Sequence, residues 1–461
     1  MPVKQKQKIA IIGAGLCGSV LAARLRTVFD VTVVEQARKK RPLYHEISCG
    51  DGGINSSINR AAGLGGTTNY WHNALIELAD DELGDLGLDP ARFAPYYRRA
   101  WSLFLSDSDL ARCQAIRDTN AQALPPGRVA HMVVPQSRVN LWPHAQRAYP
   151  GAPVTVLYGH AERLTLAANR APEHVLVHTD AGPVKLRADH YILAAGGLAT
   201  PVLLANSLGI SEARFGGYHD HPMAYVAKLR LRPDSTLREL SCRDTVAGSV
   251  RSGFVYEADG LKTAFYLRPA LSLRLGSITG EARYVLSDLR NDPVSPKKII
   301  QLLTNIEALR EALLFKTRAG FHGDYYSVLM LGEQRATDSR GIQVSAGRPP
   351  ALNWQVSADE RSAYQRCFTQ FLAEMSGQIA DRNVIAVDQW EYRTAAHHSG
   401  AARDFLAPAD GSALGGFAVA GMPAVSVCDA SLLRRGGVAN SGLTLVALCH
   451  QLADALAAQS A

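Results

Sequence analysis

A chain of 461 residues with 47% hydrophobic and 20% charged residues is globular and long enough to divide into two domains, which excludes a disordered or fibrous protein. Its net charge of +7 and pI of about 9.0 come from scattered Lys and Arg, with no basic run beyond Arg38-Lys39-Lys40-Arg41. The expectation is therefore a mildly basic solvated surface, not a nucleic-acid groove. Seven isolated cysteines (17, 49, 113, 242, 367, 428 and 449) contain no C-x-x-C pair, so reduced thiols and no metal centre are expected. With no apolar leader and no membrane-length apolar run, the expected location is the cytoplasm.

Ile9-Ala10-Ile11-Ile12 is a continuous apolar run of the kind found in buried parallel strands. Gly13-Ala14-Gly15-Leu16-Cys17-Gly18 follows, then a helical pattern over Ser19 to Arg26, then a second strand, Val31-Thr32-Val33-Val34-Glu35. Gly13 permits the tight turn, Gly15 lets a pyrophosphate approach the backbone, and Gly18 lets helix and strand pack closely. The helix N-terminus offers free N–H groups to phosphate. Glu35 comes 22 positions after Gly13, where a carboxylate accepts from ribose hydroxyls. These residues predict a nucleotide cofactor but do not separate NAD from FAD.

The next motif is Gly63-Leu64-Gly65-Gly66-Thr67-Thr68-Asn69-Tyr70-Trp71-His72-Asn73. It resembles the flavin-contacting loop of the glucose–methanol–choline oxidoreductases. That resemblance implies FAD, with Gly65, Gly66, Thr67, Thr68, His72 and Asn73 as contacts. Tyr70 stands where some members attach flavin through a histidine, so FAD is expected to be non-covalent. In the pyranose-oxidase-like branch the residue at His72 lies near flavin N5. Ala194-Ala195-Gly196-Gly197 and Gly217-Tyr218-His219-Asp220-His221-Pro222 also match the family in order. The resemblance assigns no chemistry to Asp220 or His221, which are expected to form a structural pair.

The fold class expected is α/β: a Rossmann-like FAD domain with a second α+β substrate domain built on an antiparallel sheet. The FAD domain is expected to comprise 1–80, 150–222 and 395–461, and the substrate domain 81–149 and 223–394. Short strands are predicted at Val154–Leu157, His174–His178 and Lys185–Arg187, and antiparallel strands at Ala224–Leu231 and Gly253–Glu257. Ile299, Leu302, Leu303, Ile306, Leu309 and Leu313 recur at helical spacing and predict a helix facing the core. In the region expected to form the substrate pocket, tyrosines 266, 284, 325 and 326 cluster, and no single charge dominates.

Oxidising an alcohol requires a base for the hydroxyl proton, donors to hold the oxygen and an acceptor for the hydride. By resemblance, His397 in His397-His398-Ser399-Gly400 is that base. Asn440, 43 positions on, would hold the substrate oxygen, and Asp429 would contact the cofactor. Two positions depart from the family: Ala401-Ala402, where a Thr is usual, and Ser441, where Pro is usual. His398, adjacent to His397, is expected to point to the opposite face. The expected reaction takes a hydride from a small polyhydroxylated alcohol (a sugar, cyclitol, amino sugar or biosynthetic intermediate) and passes electrons to O2 or another acceptor. The alternatives are a FAD-containing lyase, an idle flavin-binding subunit and a NAD-dependent dehydrogenase.

Overall fold

The computed structural model describes residues 6–43, 48–49, 60–124, 128–277, 296, 300, 303–317, 319–345, 348–408 and 414–460. The strand Lys8–Ile12 lies at the centre of a six-stranded sheet, between Asp30–Glu35 and His190–Leu193. Thr155–Tyr158 and Met422–Val427 extend it on either side, all parallel, and Ala418–Val419 closes one edge antiparallel. The chain leaves Lys8–Ile12 towards one neighbour and returns much later to form the other. The carboxyl end of that strand is therefore a topological switch point, where an open α/β sheet leaves a crevice.

Two helices cover this crevice. Leu16–Leu25 follows the glycine loop directly, with Gly15 as its N-cap. Gly442–Ser460 is buried along most of its length because it packs between Leu16–Leu25 and Pro90–Ser102. Arg24 and Arg99, one from each flanking helix, both reach Asp454 at 2.7 Å, and the Tyr97 hydroxyl meets Thr444 Oγ1 at 2.8 Å. The C-terminal helix is thereby tied to Pro90–Ser102 along its length and to Leu16–Leu25 at Asp454.

The second large sheet is antiparallel, in the order Cys242–Thr245, Gly248–Ala258, Leu261–Pro269, Tyr325–Gly332, Pro222–Leu231, Ile379–Val384. Val129–Pro135 pairs with Gly248–Ala258, and Arg393–Thr394 pairs with Pro222 and Met223. The helix Ala358–Glu374 packs on it behind a capping box, in which Ser357 Oγ accepts from Glu360 N and Glu360 Oε2 accepts from Ser357 N. His160–Leu166, Pro172–Thr179 and Gly182–Leu186 form a separate meander. A four-stranded sheet joins Ala213–Phe215, Gly341–Val344, Ala351–Asn353 and Ser48–Cys49.

One expectation is overturned. The helix Ile306–Thr317 leaves much of the predicted apolar stripe in solvent: Ile306 is 57% exposed, Leu313 60%, and nearby Leu303 63%. Ala308 and Glu311 face inward, because the buried Lys228 ammonium requires a carboxylate and Glu311 meets it at 2.8 Å. An apolar spacing pattern does not reveal an interior cation waiting for a partner. Ile299 and Leu302, the first members of the pattern, lie outside the described residues, as does Tyr284.

Candidate active site

The glycine loop is shaped by close approach. A Cβ on Gly18 would sit 1.8 Å from the Gly13 carbonyl oxygen, and one on Gly13, at φ 106°, would sit 2.5 Å from the Ala194 oxygen. Gly15 is different, because a Cβ there would meet no atom within 4 Å. It faces open space at the start of Leu16–Leu25, as a backbone that receives a pyrophosphate must. Gly65 N–H donates to Ala14 O at 2.8 Å, and a Cβ on Gly66 would lie 2.8 Å from Gly15 Cα, so the second loop lies directly on the first. Glu35 ties them together, accepting from Ala14 N at 3.1 Å and Gly63 N at 2.8 Å.

A cavity of about 1780 Å³ runs from this loop to the antiparallel sheet. That exceeds the roughly 300–1,000 Å³ of ordinary ligand pockets and leaves room for a dinucleotide and a substrate together. Of the residues expected at the site, Gly13, Gly15, Glu35, Gly66, Thr67, His72, Asn73, His397, Asp429 and Asn440 all line it. Gly18, Gly65 and Thr68 do not. Thr68 Oγ1 donates to Gly65 O at 2.6 Å and accepts from Leu141 N at 3.1 Å, holding the loop from behind. Asp429 receives Gly196 N–H and the Thr200 hydroxyl on one oxygen, and the amide and hydroxyl of Ser431 on the other. Burial pushes its carboxyl up while those donors pull it down. Asn73 adopts φ 60° and donates to Ser137 O at 3.1 Å, while its buried Oδ1 has no partner. His72 is exposed at the rim, 3.2 Å from Arg138 Nη2.

The histidine pair is positioned by a two-residue antiparallel bridge. His219 and Ser399 exchange both backbone hydrogen bonds at 3.1 Å, which brings the Asp220-His221 and His397-His398 segments side by side. Further along, Pro222 pairs with Thr394 and Ala395 N donates to His221 O at 3.0 Å, so the second segment bulges by two residues between Thr394 and Ser399. Ala396 adopts φ 59°, a conformation costly for a residue with a Cβ, and the bulge re-aims His397. Gly400, at φ 86°, is required because a Cβ there would lie 2.3 Å from Gly217 O. The Ala401-Ala402 departure leaves the turn tied down: Gly400 N donates to Ala430 O at 3.1 Å and Ala402 N to Ser431 O at 3.0 Å.

These contacts fix the tautomer of His397. His221 Nε2 faces Gly437 O at 2.9 Å, and a carbonyl only accepts, so Nε2 carries the proton. In the neutral ring His221 Nδ1 is then an acceptor, and the atom facing it at 2.9 Å, His397 Nδ1, donates. The remaining nitrogen of His397, Nε2, is left with a bare lone pair. Burial pushes the His397 imidazole down to about 3, reinforced by His221 and opposed by Asp220, so the ring is neutral at physiological pH. His398 is buried, its Nδ1 2.7 Å from the Tyr218 hydroxyl and 3.3 Å from Asp220 Oδ2.

Asp220 is central to this network. One oxygen accepts from His221 N at 2.6 Å and His397 N at 3.0 Å, and the other accepts from Tyr218 and Thr394. Burial disfavours its charge, yet His398, His397 and Thr394 hold the carboxyl far below the usual range. Asp220 and His221, expected from the sequence as a structural pair, are hydrogen-bonded to each other, and they meet His397 through the pairing of two His-containing segments that exists only in the folded chain. Asn440 is half-buried at the cavity wall, its Nδ2 3.4 Å from Ala74 O. The fold also brings together three cysteines that are isolated in sequence. Cys17, Cys428 and Cys449 are buried beneath the glycine loop, with 3.7 Å between the last two sulfurs.

No family profile matches the chain, and no curated protein matches its sequence. Solved structures do match. Pyridoxine 4-oxidase from Mesorbium loti aligns with a TM-score of 0.60 at 14% identity, over 97% of this chain and 98% of its own. A formate oxidase aligns with a TM-score of 0.61 at 14% identity, over 99% of both chains. A variant of Aspergillus oryzae formate oxidase, solved for the effect of its mutation on FAD modification, aligns with a TM-score of 0.60 at 14% identity, over 99% of both chains. The chain thus has the glucose–methanol–choline oxidoreductase fold expected from its motifs.

Proposed function

We propose that this protein is a FAD-dependent oxidoreductase that oxidises a CH–OH group, with His397 as the base. One observation carries the reading: a neutral histidine whose unprotonated Nε2 is fixed by His221, in the wall of a cavity that begins at a dinucleotide loop. The loop suits FAD, because Gly15 is open where phosphate would lie and Asn73 Oδ1 is a buried acceptor without a partner at the cavity wall. Non-covalent binding fits Tyr70, a cavity residue that offers no imidazole for attachment. Bound there, FAD supplies the hydride acceptor. His397 Nε2 takes the hydroxyl proton, and Asn440 donates to the substrate oxygen as charge develops on it. His221 and Asp220 hold His397 in one tautomer and one orientation. The FAD-binding unit is assigned to 1–80, 150–222 and 395–461, and the substrate unit to 81–149 and 223–394.

The test is anaerobic mixing of the FAD-loaded protein with a panel of alcohols, scoring loss of flavin absorbance, then repetition in air with a peroxide readout. Bleaching by an alcohol, slowed in His397→Ala, is expected. Turnover of a hydroxylated substrate with unchanged flavin absorbance would mean a lyase instead. Release of NAD rather than FAD from denatured protein would replace the cofactor.

A further inference from the structure

The end of the cavity away from the glycine loop is walled by the antiparallel sheet. Tyr266, Leu329 and Tyr225 lie directly across three neighbouring strands, so they share one face. Arg268 is two residues beyond Tyr266, and Arg251 two before Gly253, the residue paired with Tyr266, so both arginines stand on that face too. All five residues line the cavity. The guanidinium carbons of Arg251 and Arg268 lie 4.6 and 4.7 Å from the centroid of one ring, Phe315.

Sequence reading found no dominant charge in this region, but the fold sorts it. Lys316, next to Phe315, also lines the cavity, and Glu311 on the same helix is already held by Lys228 at 2.8 Å. No carboxylate among the described residues pairs with Arg268, which uses one N–H on the Tyr225 hydroxyl at 3.3 Å. A second, independent observation is the Tyr266 hydroxyl. It is buried in the same wall and has no hydrogen-bond partner, a costly state for a phenol that a ligand oxygen would relieve.

We propose that the substrate is an alcohol bearing an oxyanion, a carboxylate or a phosphate, received by the Arg268 guanidinium and the Tyr266 hydroxyl with its hydroxyl end toward His397. This rests on the CH–OH reading above and narrows its substrate class. The apolar Phe315, Leu329 and Leu331 of the cavity wall suit a short hydrocarbon or aromatic body.

The experiment uses FAD-loaded protein and two matched pairs: 4-(hydroxymethyl)benzoate with 4-methylbenzyl alcohol, and glycerol 3-phosphate with glycerol. In at least one pair the anionic alcohol should bleach the flavin with kcat/KM about tenfold or more above its neutral partner, since charge-assisted hydrogen bonds are at stake. Arg268→Met should bring that ratio toward one, with Tyr266→Phe moving it the same way should the Arg variant not fold. The responding pair identifies carboxylate or phosphate. Neutral alcohols that perform as well as anionic ones in both pairs, or a ratio unmoved by either variant, overturn the inference. If no alcohol bleaches, benzoate and inorganic phosphate are titrated against the oxidised flavin spectrum. Binding weakened about tenfold by Arg268→Met leaves the anion site standing while the oxidation reading fails. No binding of either anion overturns the anion site.

Discussion

The two ends of the cavity are built by different means. At the nucleotide end the critical features are backbone: N–H groups, positive φ angles and approaches that only glycine allows. At the substrate end they are side chains: two histidines in a fixed proton order, an amide, and arginines on a sheet face. Backbone sites tolerate almost no added atom but are nearly insensitive to pH. Side-chain sites accept substitution without unfolding, and they respond to protonation. The two ends should therefore fail separately.

The largest effect is expected at the nucleotide end. Gly18→Val places carbon where the Gly13 carbonyl already sits, so the purified protein should lose most of its FAD, measured as flavin released per mole of protein. Retention of full FAD would mean that the cofactor does not lie on this loop. His397→Ala should do the opposite: FAD content stays near wild type, and the rate of flavin reduction falls about 10²- to 10⁴-fold. Equal bleaching rates would remove His397 from the chemistry. Asn440→Ala should cost about 10²-fold in the same rate, again with FAD retained.

His221 sharpens the contrast, because it touches neither loop nor cavity yet sets the tautomer. His221→Ala should slow flavin reduction by about ten- to a hundredfold. His221→Asn can still donate to Gly437 O and accept from His397, so it should recover part of the rate. A His221→Asn rate no better than that of His221→Ala would reduce His221 to a packing residue.

The last effect is on stability and not on rate. Burial lowers His131, His190 and His219 to about 4 and His397 and His450 to about 3, with charged neighbours modulating all but His190. The unfolded chain binds protons at these sites from about pH 6.5 downward while the folded chain does not. Stability is therefore full above about pH 6.5 and declines toward pH 4, by up to about 1.4 kcal/mol per pH unit for each such histidine. Denaturant midpoints measured at pH 7.5 and 5 should show the loss. A midpoint that rises in acid would contradict the buried neutral histidines.

The legible parts of the molecule follow the same division. Lys8–Ile12, Leu16–Leu25 and Asp30–Glu35 were readable because strand, turn and helix there obey local rules of apolar runs and glycine geometry. Most of Pro222–Leu231 and the middle of Gly248–Ala258 were readable as strands, at Ala224–Leu231 and Gly253–Glu257. The helix at Ile306–Thr317 was readable as a helix but not in its facing, since burial of Lys228 turned Glu311 inward. The tyrosine cluster was only partly a pocket: Tyr266 lines the cavity, whereas Tyr326 is in the core with its hydroxyl on Phe321 O at 2.7 Å.

By itself, then, the sequence determined the nucleotide loop and the two strands that flank it, and it pointed to His397 and Asn440 as the residues to watch. Each depends on neighbours within a few positions or on a motif read whole. Only the tertiary structure decided which nitrogen of His397 is free, because that depends on His221, 176 residues away, and on the register of one antiparallel bridge. It also decided the charge of the substrate end. Arg251 and Arg268 are separated in sequence and mixed among acids, and only strand pairing sets them side by side on one ring.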